Sequence, residues 1–254
     1  MDKPLTGQVA FVTGASSGLG RRFAHVLADA GAAVALAARR TERLDKEAAA
    51  IAGRGGRAMA VALDVADVGA IGPALDRVQA ELGPLSILIN NAGVGGEGMA
   101  LDLSPEAFDQ TFAVNVRGVY FAAREAARRM IDSGVAGEGR ARIVNIASIA
   151  AETVLPGLTA YCASKAAVAM MTKGLAREWA RSGVAVNAIC PGYIETEINS
   201  DWFHTEGGQK QIKGFPRRRL MDENALDAAL TMLAGPAARF ITGTLVTVDD
   251  GQSL

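Results

Sequence analysis

Tyr161 and Lys165 stand four residues apart in AYCASKAAVAMM (160–171), a stretch otherwise small and apolar except for Ser164. On a helix that spacing puts both side chains on one face. A free phenol ionises near pH ~10 and is a poor proton donor or acceptor at neutrality, but an ammonium beside it favours the phenolate. The pair therefore suits proton transfer to or from an oxygen atom. Ser148 lies thirteen positions before Tyr161, far enough for the chain to loop back and set one hydroxyl beside the other. Asn115, in FAVNVRG, adds an amide within a largely apolar helical segment.

A second group of residues suits a phosphate. TGASSGLG (13–20) follows a strand-like run and opens a helix-like one. Gly14, Gly18 and Gly20 permit a tight turn and a close approach of pyrophosphate to a helix N-terminus, while Ser16 and Ser17 add hydroxyl donors around Leu19. The spacing departs from G-x-G-x-x-G, so placement carries this reading rather than the fingerprint. The next strand-like run ends LAARRTERL. A protein choosing NAD usually places an acid here, about 20 residues past the glycines, for the ribose 2′-hydroxyl. This chain has Ala38, Arg39 and Arg40 instead. Guanidinium attracts a 2′-phosphate and grips it with paired donors, so the expected cofactor is NADP(H), with Arg39 the main contact. The competing reading is two surface arginines ahead of a helix capped by Thr41.

These groups need elements to hold them. Runs rich in Val, Ile, Leu and Ala occur at 8–13, 33–38, 58–63, 85–90, 142–147, 184–189 and 244–249. Near-continuous apolar runs of this length suit strands buried on both faces of a parallel sheet. Helix-length segments lie between them at 18–30, 41–53, 67–82, 105–133, 160–182 and 222–234. Ser104 followed by Pro105 and Glu106 marks one helix start. Strict strand–helix alternation predicts a doubly wound α/β fold with a mostly parallel seven-stranded sheet and helices on both faces. Ligands of such sheets bind beyond the strands' carboxyl ends. The residues there are Thr13-Gly14, Arg39-Arg40, Asp64-Val65, Asn90 to Gly93, Ser148 and Cys190-Pro191-Gly192.

Composition narrows the partners. The chain has 254 residues, half of them hydrophobic, and a formal net charge of −1. Without a basic patch, nucleic-acid binding is disfavoured. Two cysteines do not make a disulfide framework, which favours a reducing compartment. No signal-peptide pattern or membrane-length apolar run is present, so a soluble cytoplasmic protein is expected.

Taken together, TGASSGLG, Asp64, NNAG (90–93), Asn115, Ser148, YCASK and PGYIET (191–196) resemble the short-chain dehydrogenase/reductase family, in its compact single-domain branch. The resemblance spans the chain and implies one Rossmann domain over 1–254. It implies a hydride transfer between nicotinamide and a ketone or secondary alcohol, of carbonyl-reductase or 3-oxoacyl-thioester-reductase type. Tyr161 would be the general acid or base, Ser148 would bond the carbonyl oxygen, and Lys165 would hold the ribose and lower the Tyr161 pKa. Asn115 would position a water linking Lys165 to solvent. Asp64 and Val65 would meet adenine, and Asn91, Ala92 and Gly93 its ribose. Pro191, Gly192, Ile194 and Thr196 would fix the nicotinamide. The family more often reads Asp-Gly-Gly where this chain has Asp250-Gly251-Gln252, a departure expected to touch only local packing. A homotetramer is expected through 105–133, 160–182 and the last strand. The alternatives are a non-catalytic dinucleotide sensor on this fold, or an NAD-dependent secondary-alcohol dehydrogenase. Enoyl reductases space their Tyr and Lys more widely, and epimerases need a larger C-terminal domain.

The segment 193–221 interrupts the strand–helix rhythm and reads as a lid. Val94, Glu152, Leu155, Tyr193, Trp202, Phe203 and Phe215 are the expected substrate-pocket residues. His25 and His204 lack partners at ligand spacing, so no metal is expected. Cys162 reads as a buried small hydrophobe on another helix face. Arg217 to Arg219 either recognise an acidic substrate or, the preferred reading, pair with acids of a helix starting near Asp222-Glu223.

Overall fold

Val9–Thr13 (β1) alternates its side chains between two cores: Val9 and Phe11 face one, Ala10 and Val12 the other. Ala33–Ala38 (β2) repeats the pattern, so both strands must lie between layers. In the computed structural model, which describes residues 3–254 apart from Glu97 and Ile198, five further strands join them. They are Arg57–Ala62 (β3), Ile87–Asn90 (β4), Arg142–Ile146 (β5), Ala185–Pro191 (β6) and Leu245–Val248 (β7). The order is β3-β2-β1-β4-β5-β6-β7, and every adjacent pair is parallel. β3 and β7 are the edges, and both carry exposed positions that the interior strands lack. Edge placement explains why their apolar runs are not buried on both faces.

Gly18–Asp29 (α1), Thr41–Gly53 (α2) and the late helix pack on one face, while Val68–Leu82 (α3) and two central helices cover the other. The expected long helix 105–133 is interrupted. Pro105–Phe112 (α4) and Val119–Asp132 (α5) flank a π-helical turn at Ala113–Gly118, where Asn115 sits. Thr159–Trp179 (α6) lies against β6 and carries Tyr161 and Lys165. It gives way to a 3₁₀ turn, Ala180–Ser182, stopped by Gly183 at φ +80°. Ser200–Phe203 (α7) and Glu206–Gly214 (α8) form most of the regular structure in the 193–221 segment, of which Ile198 lies outside the described residues. Asp227–Ala234 (α9) starts five residues later than expected, because 222–226 is a turn. Among the described residues no helix is long and apolar enough to cross a membrane.

The chain reverses its direction of sheet growth between β1 and β4. At such a switch the loops leaving the two strands part and open a crevice at their carboxyl ends. The glycine turn leaves β1 there and Asn91 to Gly93 leave β4.

Candidate active site

A cleft of about 680 Å³ follows that edge. The glycine turn, Arg39, Arg40, Asp64 and Val65 line one end; Ser148, Tyr161, Lys165 and Tyr193 line the other. Between them lie Asn91 to Gly93 and, opposite, Pro191, Gly192, Ile194 and Thr196.

The end that holds Tyr161 is built from buried polar groups. Lys165 is 6% exposed, and its Nζ donates to Ile146 O at 2.9 Å, anchoring α6 to the tip of β5. Nζ also sits 5.5 Å from the centre of the Tyr161 ring. Burial lowers the Lys165 pKa to about 8. Ser148 is buried just past β5, and its Oγ accepts from Ala150 N at 3.1 Å, capping the short turn that follows. For Tyr161, burial pushes the pKa above its ordinary value, and a hydrogen bond with Ser148 opposes the rise. The expectation that Lys165 draws the phenol down is thus corrected for the protein alone: desolvation is the largest cause acting on the phenol, and it raises the pKa.

Asn115 does not line the cleft. It is 1% exposed, and its Oδ1 accepts from Val94 N while Nδ2 donates to Val94 O, both at 2.9 Å. Nδ2 also donates to Ser164 Oγ at 3.1 Å, and that hydroxyl donates to Tyr161 O at 2.7 Å. The π-helical turn therefore aims one amide at both the loop after β4 and the helix bearing Tyr161 and Lys165. Such turns often mark functional positions. Behind them, Asn90 Nδ2 donates to Asn145 Oδ1, and Asn145 Nδ2 to Thr172 Oγ1, joining β4, β5 and α6.

The glycines of the turn divide between packing and opening the cleft. A Cβ on Gly20 would fall 2.3 Å from Gly14 O, and one on Gly14 would fall 2.9 Å from Ala92 Cα. These two glycines let the turn close on the Asn91 loop, whose Nδ2 donates to Thr13 O at 3.0 Å. Gly18, at φ +50°, faces Thr196 across the cleft, with its Cβ direction open to 3.5 Å. The donors suit a dinucleotide: backbone amides at a helix start, hydroxyls of Ser16 and Ser17, and guanidiniums at the far end. Arg40, rather than Arg39, makes the close contacts there. Its Nη2 donates to Ser17 Oγ at 2.7 Å and Ser16 Oγ at 3.1 Å. Arg39 is exposed, 4.0 Å from Asp64 Oδ2, while Asp64 Oδ1 accepts from Ala66 N. Thr41 is not the helix cap; Arg40 holds that position without a side-chain capping bond.

At the substrate end, Val94, Leu155, Leu158 and Tyr193 form the wall. Glu152, Trp202, Phe203 and Phe215 do not line it. Tyr193 stacks on Phe215 at 5.4 Å and meets Phe203 edge-on at 5.7 Å, so those two rings are buried behind it. Trp202 is half exposed, its Nε1 donating to Gln211 Oε1, and Glu152 is exposed beyond the Ser148 turn. Gln252 was missed: its Oε1 accepts from Tyr193 N at 2.6 Å, and Nε2 donates to the Tyr193 and Arg219 carbonyls. The departure from Asp-Gly-Gly therefore reaches the cleft. Arg217 and Arg219 pair with Asp250, not with the acids of a following helix. Cys162 is half-buried, its Sγ 4.0 Å from Thr153 O, and Cys190 is the buried thiol. Among the described residues no cluster suits a metal ion.

Comparison with known proteins agrees with this arrangement. The short chain dehydrogenase family profile matches residues 8–207. Gluconate 5-dehydrogenase of Gluconobacter oxydans is 35% identical over 97% of this chain and 95% of its own. D-threitol dehydrogenase of Mycolicibacterium smegmatis is 37% identical over 100% and 95%. The crystal structure of a gluconate 5-dehydrogenase from Burkholderia cenocepacia, in complex with NADP and tartrate, superposes with a TM-score of 0.92. It is 33% identical and covers 98% of this chain and 96% of that one. With the parallel sheet, the cleft at its switch point and relatives matching from end to end, the chain belongs to the short-chain dehydrogenase family, oxidoreductases that act on alcohols and ketones with a nicotinamide cofactor.

Proposed function

We propose that this chain is an NADP(H)-dependent reductase of ketones, or dehydrogenase of secondary alcohols, of carbonyl-reductase or 3-oxoacyl-thioester-reductase type. The observation that carries this reading is the placement of Tyr161, Lys165 and Ser148 on one end of the cleft. When bound, the nicotinamide supplies or takes up the hydride. Tyr161 gives its phenolic proton to the carbonyl oxygen in reduction and takes it back in oxidation. Burial keeps that phenol protonated at neutral pH, which suits reduction. Ser148 donates to the carbonyl oxygen as negative charge develops on it. Lys165 holds the ribose hydroxyls, and Asn115 steadies its helix through Ser164 and positions proton resupply.

At the far end, Arg39 and Arg40 receive the 2′-phosphate while Asp64 and Val65 meet the adenine. The 193–221 segment serves as a lid on a single domain, with Tyr193 as its inner face. A homotetramer is proposed through α4, α5 and α6, which expose Phe108, Tyr120, Ile131 and Met170, and through β7 at the sheet edge; light scattering tests it.

The functional test is NADPH consumption by the purified protein across ketones, β-keto esters, diketones, 3-oxoacyl thioesters and the keto forms of gluconate and threitol. Turnover of at least one, with NADPH preferred to NADH, is expected. Tight cofactor binding without turnover on the whole panel would replace the enzyme with a sensor, and a preference for NADH would remove the 2′-phosphate assignment.

A further inference from the structure

The adenosine end holds three arginines, not two. Arg43, on the first turn of α2, lies beside Arg40, and both reach the same partner. That partner is Glu197, from the loop after β6 on the opposite wall of the cleft. Arg43 Nη1 donates to both Glu197 carboxylate oxygens at 2.9 Å. Arg40 Nη1 donates to Glu197 Oε2 at 3.4 Å, while its Nη2 stays on the two serine hydroxyls. The Arg43 guanidinium, with help from Arg40, holds the Glu197 carboxyl below its ordinary pKa, so it is an anion at neutral pH.

We propose that Glu197 is a built-in competitor for the cofactor's 2′-phosphate and so sets how far the protein discriminates NADP(H) from NAD(H). This rests on the NADP(H) reading above. Carboxylate and phosphate are recognised by the same guanidinium donors, and two anions sharing them repel. A 2′-phosphate must therefore displace Glu197 from Arg40 and Arg43. An unphosphorylated ribose makes no such demand and leaves the pairs intact. Arg40 remains aimed by Ser16 and Ser17 whichever anion it meets. The pairs are half exposed, so their effect is modest and screened by salt. Arg39 stands apart, near Asp64, and takes no part in the competition.

Calorimetric titration with 2′,5′-ADP and 5′-AMP isolates the phosphate without turnover, and NADPH and NADH binding by protein fluorescence extends it. In Glu197→Gln, 2′,5′-ADP and NADPH should bind roughly three- to tenfold more tightly, while 5′-AMP and NADH stay within about twofold. The gain should shrink as salt is raised. Arg43→Gln, which frees Glu197 to face Arg40 alone, should lose part of the wild-type affinity for 2′,5′-ADP. Unchanged or weaker 2′,5′-ADP binding in Glu197→Gln overturns the proposal, and so does equal tightening of 5′-AMP. Wild-type protein with no preference for 2′,5′-ADP over 5′-AMP would overturn the NADP(H) reading and this inference together. A clear wild-type preference that Glu197→Gln leaves untouched would overturn this inference alone.

Discussion

The two ends of the cleft hold their polar and charged groups by opposite means. At the catalytic end Lys165, Ser148 and Asn115 are all less than a tenth exposed, and each is tied to backbone by hydrogen bonds of about 3 Å. At the adenosine end Arg39, Arg40, Glu197 and Arg43 are half exposed or more and pair mainly with side chains. Buried groups interact strongly and shift one another's pKa values, whereas exposed pairs exchange easily and are weakened by salt. Under the proposed function, chemistry accordingly belongs to the first end and selection between similar cofactors to the second. Damage should follow the same division.

The largest effects belong to the buried end. Ser148→Ala should lower kcat by about 10²- to 10³-fold, with little change in cofactor affinity or in salt dependence. An equal rise in cofactor Kd would move Ser148 out of the chemistry. Next comes the exposed end: Arg40→Ala should raise the NADPH KM by roughly ten- to a hundredfold and the NADH KM far less, with the gap closing in high salt. A salt-independent loss would mean that Arg40 acts through the glycine turn instead.

Lys165 sharpens the comparison through stability. Its pKa is near 8 in the folded chain against 10.5 for a free lysine. The unfolded state therefore binds more protons between those values, and stability from this group rises with pH across that window. Below it the fold carries the full cost of a buried charge. Lys165→Met should be inactive yet more stable at pH 7, by about 1–3 kcal/mol, with the gain fading as pH approaches 10.5. Denaturant melts at two pH values check this; a destabilised variant at pH 7 would show that the bond to Ile146 O outweighs desolvation. The smallest effect should come from Gln252→Gly, which unties Tyr193: a carbonyl KM raised about threefold at nearly constant kcat.

What could be read from sequence follows the same physical line. Interior strands, the glycine turn and the Tyr161–Lys165 spacing are local patterns, and local patterns carry periodicity. The π-helical turn at Asn115 left no sign because its residues suit an ordinary helix, and only the bonds to Val94 and Ser164 reveal it. Glu197 with Arg43 and Gln252 with Tyr193 join positions 154 and 59 residues apart, and no spacing rule reaches so far. The aromatics of 193–221 were legible as a cluster but not in their layering, since Tyr193 alone lines the cleft while Phe203 and Phe215 pack behind it. The pairing of Arg217 and Arg219 with Asp250 depended likewise on where the C-terminus returns.

The most direct test of the account compares wild type with Tyr161→Phe on a carbonyl that the wild type reduces, alongside NADPH titration of both. The phenyl ring keeps the packing and removes only the proton. The account predicts a fall in kcat of about 10³-fold or more with NADPH affinity unchanged; undiminished turnover in the variant would contradict it.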